Sequence, residues 1–200
     1  MTGTANWPAP VRLEGHDVIL EPLAQTHAAA LALASADGAL WQLWYTSVPK
    51  PEEMVEAIAA RLKAHQAGQS TPFAVVSKAS GKAVGMTSYL NVVPSVKRLE
   101  IGSTWYARSV QRTGINTQCK RLLLAHAFET LGCIAVEFRT HFFNRQSRAA
   151  IERLGAKLDG ILRNHFDPSG NIRDTCVYSV IAGEWPQVKR HLEFLLSRNG

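Results

Sequence analysis

The stretch Gln111-Arg112-Thr113-Gly114-Ile115-Asn116-Thr117 lies between two segments of different period. Before it, Arg98–Tyr106 alternates Leu99, Ile101 and Ser103 with Glu100 and Gly102, the two-residue repeat of a strand. After it, Asn116–Leu131 sets Leu122, Leu123, Ala127 and Leu131 on one helical face. The chain therefore passes from strand to helix through a turn with one glycine. At a helix start the first four N–H groups lack intrahelical partners, and the helix dipole adds partial positive charge. Gly114 lets the backbone approach a ligand, Arg112 adds a full charge and Thr117 a hydroxyl. These are the requirements of a diphosphate cradle. An ordinary strand-to-helix turn would carry the same residues, so position along the chain has to decide.

Upstream, Val18–Leu23 reads as a strand stopped by Pro22, and Gln25–Ala36 as a helix ending at Asp37-Gly38. Trp41, Trp44 and Tyr45 fall in a short helix or loop. Pro51-Glu52-Glu53 opens a helix with Met54, Val55, Ile58 and Leu62 at helical spacing up to Gly68. Phe73–Ser77 and Ala83–Val93 form a hairpin around the turn Lys78–Gly81. Downstream come a strand, Ile134–Thr140, a helix, Asn144–Leu154, and two strands, Lys157–His165 and Arg173–Ile181, around the turn Asp167–Gly170. Trp185–Ser197 closes as a helix. The order predicts an α/β (α+β) fold, a mixed and mostly antiparallel sheet flanked by helices. No Gly-x-Gly-x-x-Gly follows a strand, so a nicotinamide dinucleotide site has no support.

At 200 residues, 46% hydrophobic and 19% charged, the chain has the composition of one globular domain. Residues 1–10 read as a loose leader, and residues 11–200, with the closing helix 185–197, as a single domain. The leader lacks the basic patch and apolar run of a secretory signal, and no stretch has the length to cross a bilayer. The expectation is a cytoplasmic protein. Cys119, Cys133 and Cys176 are odd in number and far apart, without zinc spacing, which predicts packed thiols and no metal site. The net charge of +6 is uneven: residues 1–96 hold six Lys/Arg against seven Asp/Glu, and residues 97–200 hold sixteen against nine. The basic excess thus falls in the half that carries the cradle.

About thirty residues after the cradle come Asn144-Arg145-Gln146-Ser147 and Leu154-Gly155-Ala156. Together these resemble the GNAT superfamily of N-acetyltransferases, whose loop reads Gln/Arg-x-x-Gly-x-Gly/Ala and whose later helix reads Asn-x-x-Ser/Ala before Leu-Gly-Phe-like sequence. Gln111, Gly114 and Asn116 take the loop positions, Asn144 and Ser147 those of the helix. Glu100-Ile101-Gly102 and Asp174–Ser179 look closest to the RimJ/RimL-like branch, and the likeness runs from Val11 to Pro186. It implies the GNAT fold, with splayed parallel strands at Arg98–Tyr106 and Ile134–Thr140, and acetyl-CoA as cofactor. Its pantetheine and thioester would meet the backbone of Trp105, Tyr106 and Ala107, and its diphosphate Gln111, Arg112, Thr113, Gly114, Ile115, Asn116 and Thr117. Asn144 and Ser147 would contact the pantetheine arm. Glu100 would take the amine proton, and Ser147 would protonate the leaving thiolate. Other members place a tyrosine where this chain has Ile151. Asn116 and Ala156 depart from the family's small and aromatic residues.

The acceptor implied is an amine, either a peptide N-terminus or a small molecule, with no nucleic acid or membrane partner and a homodimer as the common assembly. Tyr89, Arg139, His141, Arg163 and Tyr178 lie where they could face it, and Trp41–Tyr45 could form an apolar lip. Two other readings compete: a basic nucleic-acid-binding protein, and an acyl-CoA-binding or sensing module without turnover. The first lacks a helix-turn-helix or a stacking motif.

Overall fold

The computed structural model describes residues 7–167 and 170–198. Eight strands form one sheet: β1 (Leu13–Glu14), β2 (Val18–Pro22), β3 (Ser70–Ser77), β4 (Lys82–Val93), β5 (Arg98–Tyr106), β6 (Ala135–His141), β7 (Lys157–Phe166) and β8 (Ile172–Ile181). Their spatial order is β1-β2-β3-β4-β5-β6-β8-β7. All neighbours are antiparallel except β5 and β6. Five α-helices flank the sheet: α1 (Ala28–Ala36), α2 (Met54–Gln66), α3 (Ile115–Ala125), α4 (Arg145–Arg153) and α5 (Trp185–Ser197). The mixed, mostly antiparallel sheet flanked by helices is the architecture that the alternation of periods predicts.

Two cores lie on opposite faces. Leu31 of α1 with Met54 and Ile58 of α2 packs on Ala74, Val76 and Met86. Cys119 and Leu123 of α3, with Val188 and Leu192 of α5, pack on Phe73, Tyr89, Ile101 and Phe138. Because α1 rests on β4 and α2 on β3, the β6-β8-β7 half of their face stays uncovered. There Arg98, Glu137, Arg139, Leu162, Val177 and Ile181 border a depression of about 400 Å³.

Strand β5 holds a bulge that its sequence hides. Ser88 pairs with Gly102 and Met86 with Trp105, so Ser103 and Thr104 together oppose Thr87. Ser103 takes the left-handed conformation, φ 48°. The extra residue reverses the alternation: Leu99 and Ile101 face α3, whereas Trp105 faces α1 and α2 and Tyr106 returns to the α3 side.

Several boundaries differ from expectation. The helix expected at Gln25–Ala36 begins as a 3₁₀ turn, Gln25–His27, in which His27 Nδ1 accepts from the Ala24 N–H at 3.0 Å. The helix expected through Leu131 ends at Ala125 and continues as a π turn, His126–Thr130. At that junction the Tyr89 hydroxyl donates to the Leu123 carbonyl at 2.8 Å. Of the expected leader, residues 1–6 lie outside the described residues. Trp7 packs on the core, and Thr71 donates to the buried Pro8 carbonyl at 3.2 Å. Pro168 and Ser169 of the expected turn also lie outside the described residues. The three cysteines are buried free thiols, and burial pushes Cys119 up to about 12. Among the described residues no helix is long and apolar enough to cross a membrane.

Tyr89→Phe leaves the Leu123 carbonyl without that partner inside the core. It should lower stability by about 1–2 kcal/mol, read as a lower urea midpoint with an unchanged slope.

Candidate active site

The site begins where the parallel pair stops. β5 and β6 pair only at Arg98–Ala135, Leu99–Val136 and Glu100–Glu137. Beyond Glu100, β5 stays on β4 as far as Tyr106–Gly85, and β6 stays on β8 as far as His141–Thr175. A wedge therefore opens between Ile101–Tyr106 and Phe138–His141, and no ladder pairs cross it. The splay that the resemblance implies is present in the register.

Near the end of β5, the Trp105 indole N–H is buried on the α1 and α2 side and has no partner among the described residues. The Tyr106 carbonyl accepts from Gln111 Nε2 at 3.0 Å. The Ala107 N–H donates to the Val84 carbonyl at 2.8 Å, so it is not a free donor as expected.

The loop above the mouth is open. Among the described residues, the backbone N–H groups of Arg112, Thr113 and Gly114 donate to no protein acceptor. Arg112 holds the positive φ, 63°, and its exposed side chain makes no ion pair among the described residues. Gly114 is right-handed, φ −68°. A Cβ there would meet only Gln118 Nε2 at 3.7 Å and Leu196 Cδ2 at 3.9 Å. Neither conformation nor protein packing demands a glycine, so what remains is room for a group from outside. Thr113 Oγ1 donates to the Val110 carbonyl at 2.7 Å and accepts from the Ile115 N–H at 3.3 Å. Ile115 points into the core, while Asn116 is half-buried at the rim. Thr117 is fully buried, with Oγ1 accepting from Arg153 at 2.9 Å. Its hydroxyl is thus turned away from the ligand role expected of it.

The N-terminus of α4 forms the other lip. Asn144 Oδ1 accepts from the Ser147 N–H at 3.0 Å, the ordinary N-cap bond. Ser147 Oγ makes no hydrogen bond among the described residues and sits half-exposed. Gln146 donates to Gln111 at 3.2 Å and ties the two lips together.

Glu100 lies on the opposite face, at the vertex, 6% exposed. Burial raises its carboxyl above the ordinary range, opposed by Asn91 and Arg139. Asn91 Nδ2 donates to Oε2 at 2.7 Å, and Arg139 Nε lies 3.7 Å from the same oxygen. Gly102 makes room for this carboxyl: a Cβ there would lie 2.6 Å from Glu100 Oε1 and 2.8 Å from Leu90 Cδ1. Asn91, absent from the sequence reading, sits at φ 46° beside a register shift of β4. An asparagine inside a strand pattern is the only signal that could have flagged it.

Lys120 was likewise not foreseen. It is 5% exposed, and its Nζ donates to Thr104 at 2.7 Å and Thr87 at 3.3 Å, which fixes the bulge from below. Burial lowers its pKa to about 8. Its spacing from Thr117 and Leu124 on the buried face of α3 was the available sign.

A model of the acetyltransferase (GNAT) domain matches residues 17–157. A Bacillus subtilis (strain 168) protein named "Putative ribosomal N-acetyltransferase YdaF" is 33% identical over 105 residues, 52% of this chain and 57% of that protein. The chain thus matches little more than half the length of that curated relative. The crystal structure of a GCN5-related N-acetyltransferase from Brucella melitensis superposes with a TM-score of 0.83 at 30% identity, over 96% of this chain and 89% of that one. RimL, a ribosomal L7/L12 alpha-N-protein acetyltransferase, superposes with a TM-score of 0.74 at 20% identity, over 86% and 95%, a likeness of fold alone.

Asn91→Ala removes the donor that favours the charged carboxylate, so the Glu100 pKa should rise further. Carboxyl-carbon NMR titration of both proteins reads this shift. Because the folded pKa exceeds the unfolded one, Glu100 takes stability away as pH climbs from the unfolded value through the raised folded value. In the variant that decline should extend to higher pH.

Proposed function

We propose that this chain, which belongs to the GNAT acetyltransferase family, transfers an acetyl group from acetyl-CoA to a primary amine. The observation that carries the reading is the wedge, open beyond Glu100 and capped by a loop in which the Arg112, Thr113 and Gly114 N–H groups have no acceptor among the described residues. The residues present fit the cofactor: a glycine over which an added Cβ would meet nothing closer than 3.7 Å, and beside it an exposed arginine with no acid partner among the described residues. Acetyl-CoA, when bound, supplies a thioester whose carbonyl carbon accepts an amine.

Arg112, Thr113 and Gly114 offer backbone donors to the diphosphate, and the Arg112 guanidinium adds charge. Gln111 and Gln146 hold the two lips at a fixed separation. The wedge between β5 and β6 holds the pantetheine arm, so that donor and amine meet in line. Glu100 takes the proton that the attacking amine gives up, directly or through one water. Its burial raises its basicity above that of a surface carboxylate, and Asn91 and Arg139 oppose that rise. Ser147 Oγ holds a proton that can pass to the departing sulfur. Asn144 Oδ1 is the N-cap that orients this turn, which leaves the amide Nδ2 for the contact with the pantetheine arm.

Gly114→Val provides the test. The Cβ it adds meets nothing closer than 3.7 Å, so thermal stability should hold while acetyl-CoA affinity, read by calorimetry, falls at least tenfold. An unchanged affinity would remove the loop from the reading. Glu100→Gln should bind acetyl-CoA normally and slow thiol release by about 10²–10⁴-fold. Ser147→Ala should slow it by a smaller factor, rescued by thiol leaving groups of lower pKa.

A further inference from the structure

The face that carries Glu100 continues along β6 into a second cavity. Val136 and Phe138 point to the α3 core, so Glu137, Arg139 and His141 share the opposite face. Four residues past Glu137, about 13 Å along the strand, His141 borders a pocket of about 390 Å³ with Trp44, Phe143, Ile172, Arg173 and Asp174. Its walls are aromatic and open to solvent, since Trp44 is 71% exposed and Phe143 59%. The Trp44 ring stands edge-on to His141 at 5.0 Å and tilted to Phe143 at 6.0 Å. Trp44, on the loop between α1 and α2, is thus held in place although solvent reaches most of it.

The His141 ring is a fixed, neutral wall. Its Nδ1 accepts from the Phe143 N–H at 3.0 Å, and its pKa is lowered by burial and then by Arg173. The charged groups facing the pocket are unequal. Asp174 is held by Arg163 at 2.6 Å and by the Asn164 N–H at 2.9 Å. Outside the pocket, at the neighbouring depression, Glu137 is bracketed by Arg98 at 2.6 Å and Arg139 at 3.0 Å. Arg173 has only Thr175, to which its Nε donates at 3.1 Å, and no carboxylate within ion-pair distance among the described residues. It is nevertheless near enough to Glu100 to act on that carboxyl.

Resting on the amine-acetylation reading, we infer that this pocket is the acceptor subsite, taking an α-amine whose apolar side group lies against Trp44 and Phe143 and whose carboxylate meets Arg173. The amine nitrogen then points down the wedge toward Glu100. A polyamine fits poorly, because its second ammonium would face Arg173 while the nearby acids already have partners. The same chemistry belongs to an acidic peptide N-terminus and to a free apolar amino acid.

The test uses the full chain with four acceptors: a tetrapeptide beginning Phe-Asp, its Phe-Lys counterpart, free phenylalanine, and spermidine. Thiol release gives kcat and KM, and calorimetry on CoA-saturated protein gives binding without turnover. The acidic peptide should exceed the basic one in kcat/KM by about tenfold, as one partly exposed ion pair allows. Arg173→Gln should remove that preference by raising KM for the acidic peptide alone, while any change in kcat through Glu100 falls on both peptides alike, and Trp44→Ala should weaken both peptides alike. Phenylalanine matching the acidic peptide would assign the free amino acid as the source, and the reverse the peptide. Equal rates for the two peptides, or a preference that survives Arg173→Gln, would overturn the inference while thiol release upholds the transferase reading. Acid-selective binding with no thiol release from any acceptor would do the opposite.

Discussion

The structure depends on a ladder that stops after three residues. Parallel strands normally stay paired, since each lost step leaves backbone groups without partners. Here β5 leaves β6 after Glu100 while staying on β4, and the bulge at Ser103–Thr104 shifts its register there and adds twist. A bulge inside a sheet needs support, and Lys120 supplies it from α3 by donating to both threonine hydroxyls. An ammonium buried with only hydroxyl partners costs stability. Such a cost is more readily understood where the feature it fixes, the opening of the wedge, is used.

That dependence explains what the sequence disclosed and what it hid. The strand Arg98–Tyr106, the loop around Gly114 and the helix behind it were legible because hydrophobic period changes there and glycine marks the break. The bulge was hidden because one inserted residue leaves a β-rich run looking unbroken, and only the sidedness of Trp105 and Tyr106 betrays it. Thr117 misled for a related reason. First-turn position suggests a ligand contact, but the rotation of α3 turns that side chain inward to Arg153. Asn144 is expected as a contact, and its Oδ1 also serves as the cap of α4, a local bond that its place before a helix foreshadows. The π turn at His126–Thr130 followed from no periodicity, since it answers a partner on a distant strand.

The uneven charge acquires a structural meaning. Several cations of the C-terminal half are ion-paired: Arg121 with Glu193, Lys157 with Glu184, and Lys189 with Glu129. Surface pairs of this kind contribute little to stability, and because their acids are already counted, the net surplus of this half stands beside them. Arg112 and Arg173 stand without an acid among the described residues, Arg112 on the loop after β5 and Arg173 at the pocket beside His141, both toward the open end of the wedge.

The two halves of the site are built from different materials, which governs how each is recognised. On the loop side the donors are backbone groups, fixed by a turn and a helix start, so a short pattern around one glycine suffices to find them. On the Glu100 side the contacts come from β4, β5, β6, β8 and the loop bearing Trp44. Their proximity exists only after folding, and no spacing in the chain joins Asn91 to Glu100 or Trp44 to His141. Gly102 connects the two logics. It reads as a mere weak point in a strand, but the space left by its missing side chain is where the Glu100 carboxyl lies. A residue in that position serves the chemistry by what it lacks, and only the fold reveals the atom that uses the gap.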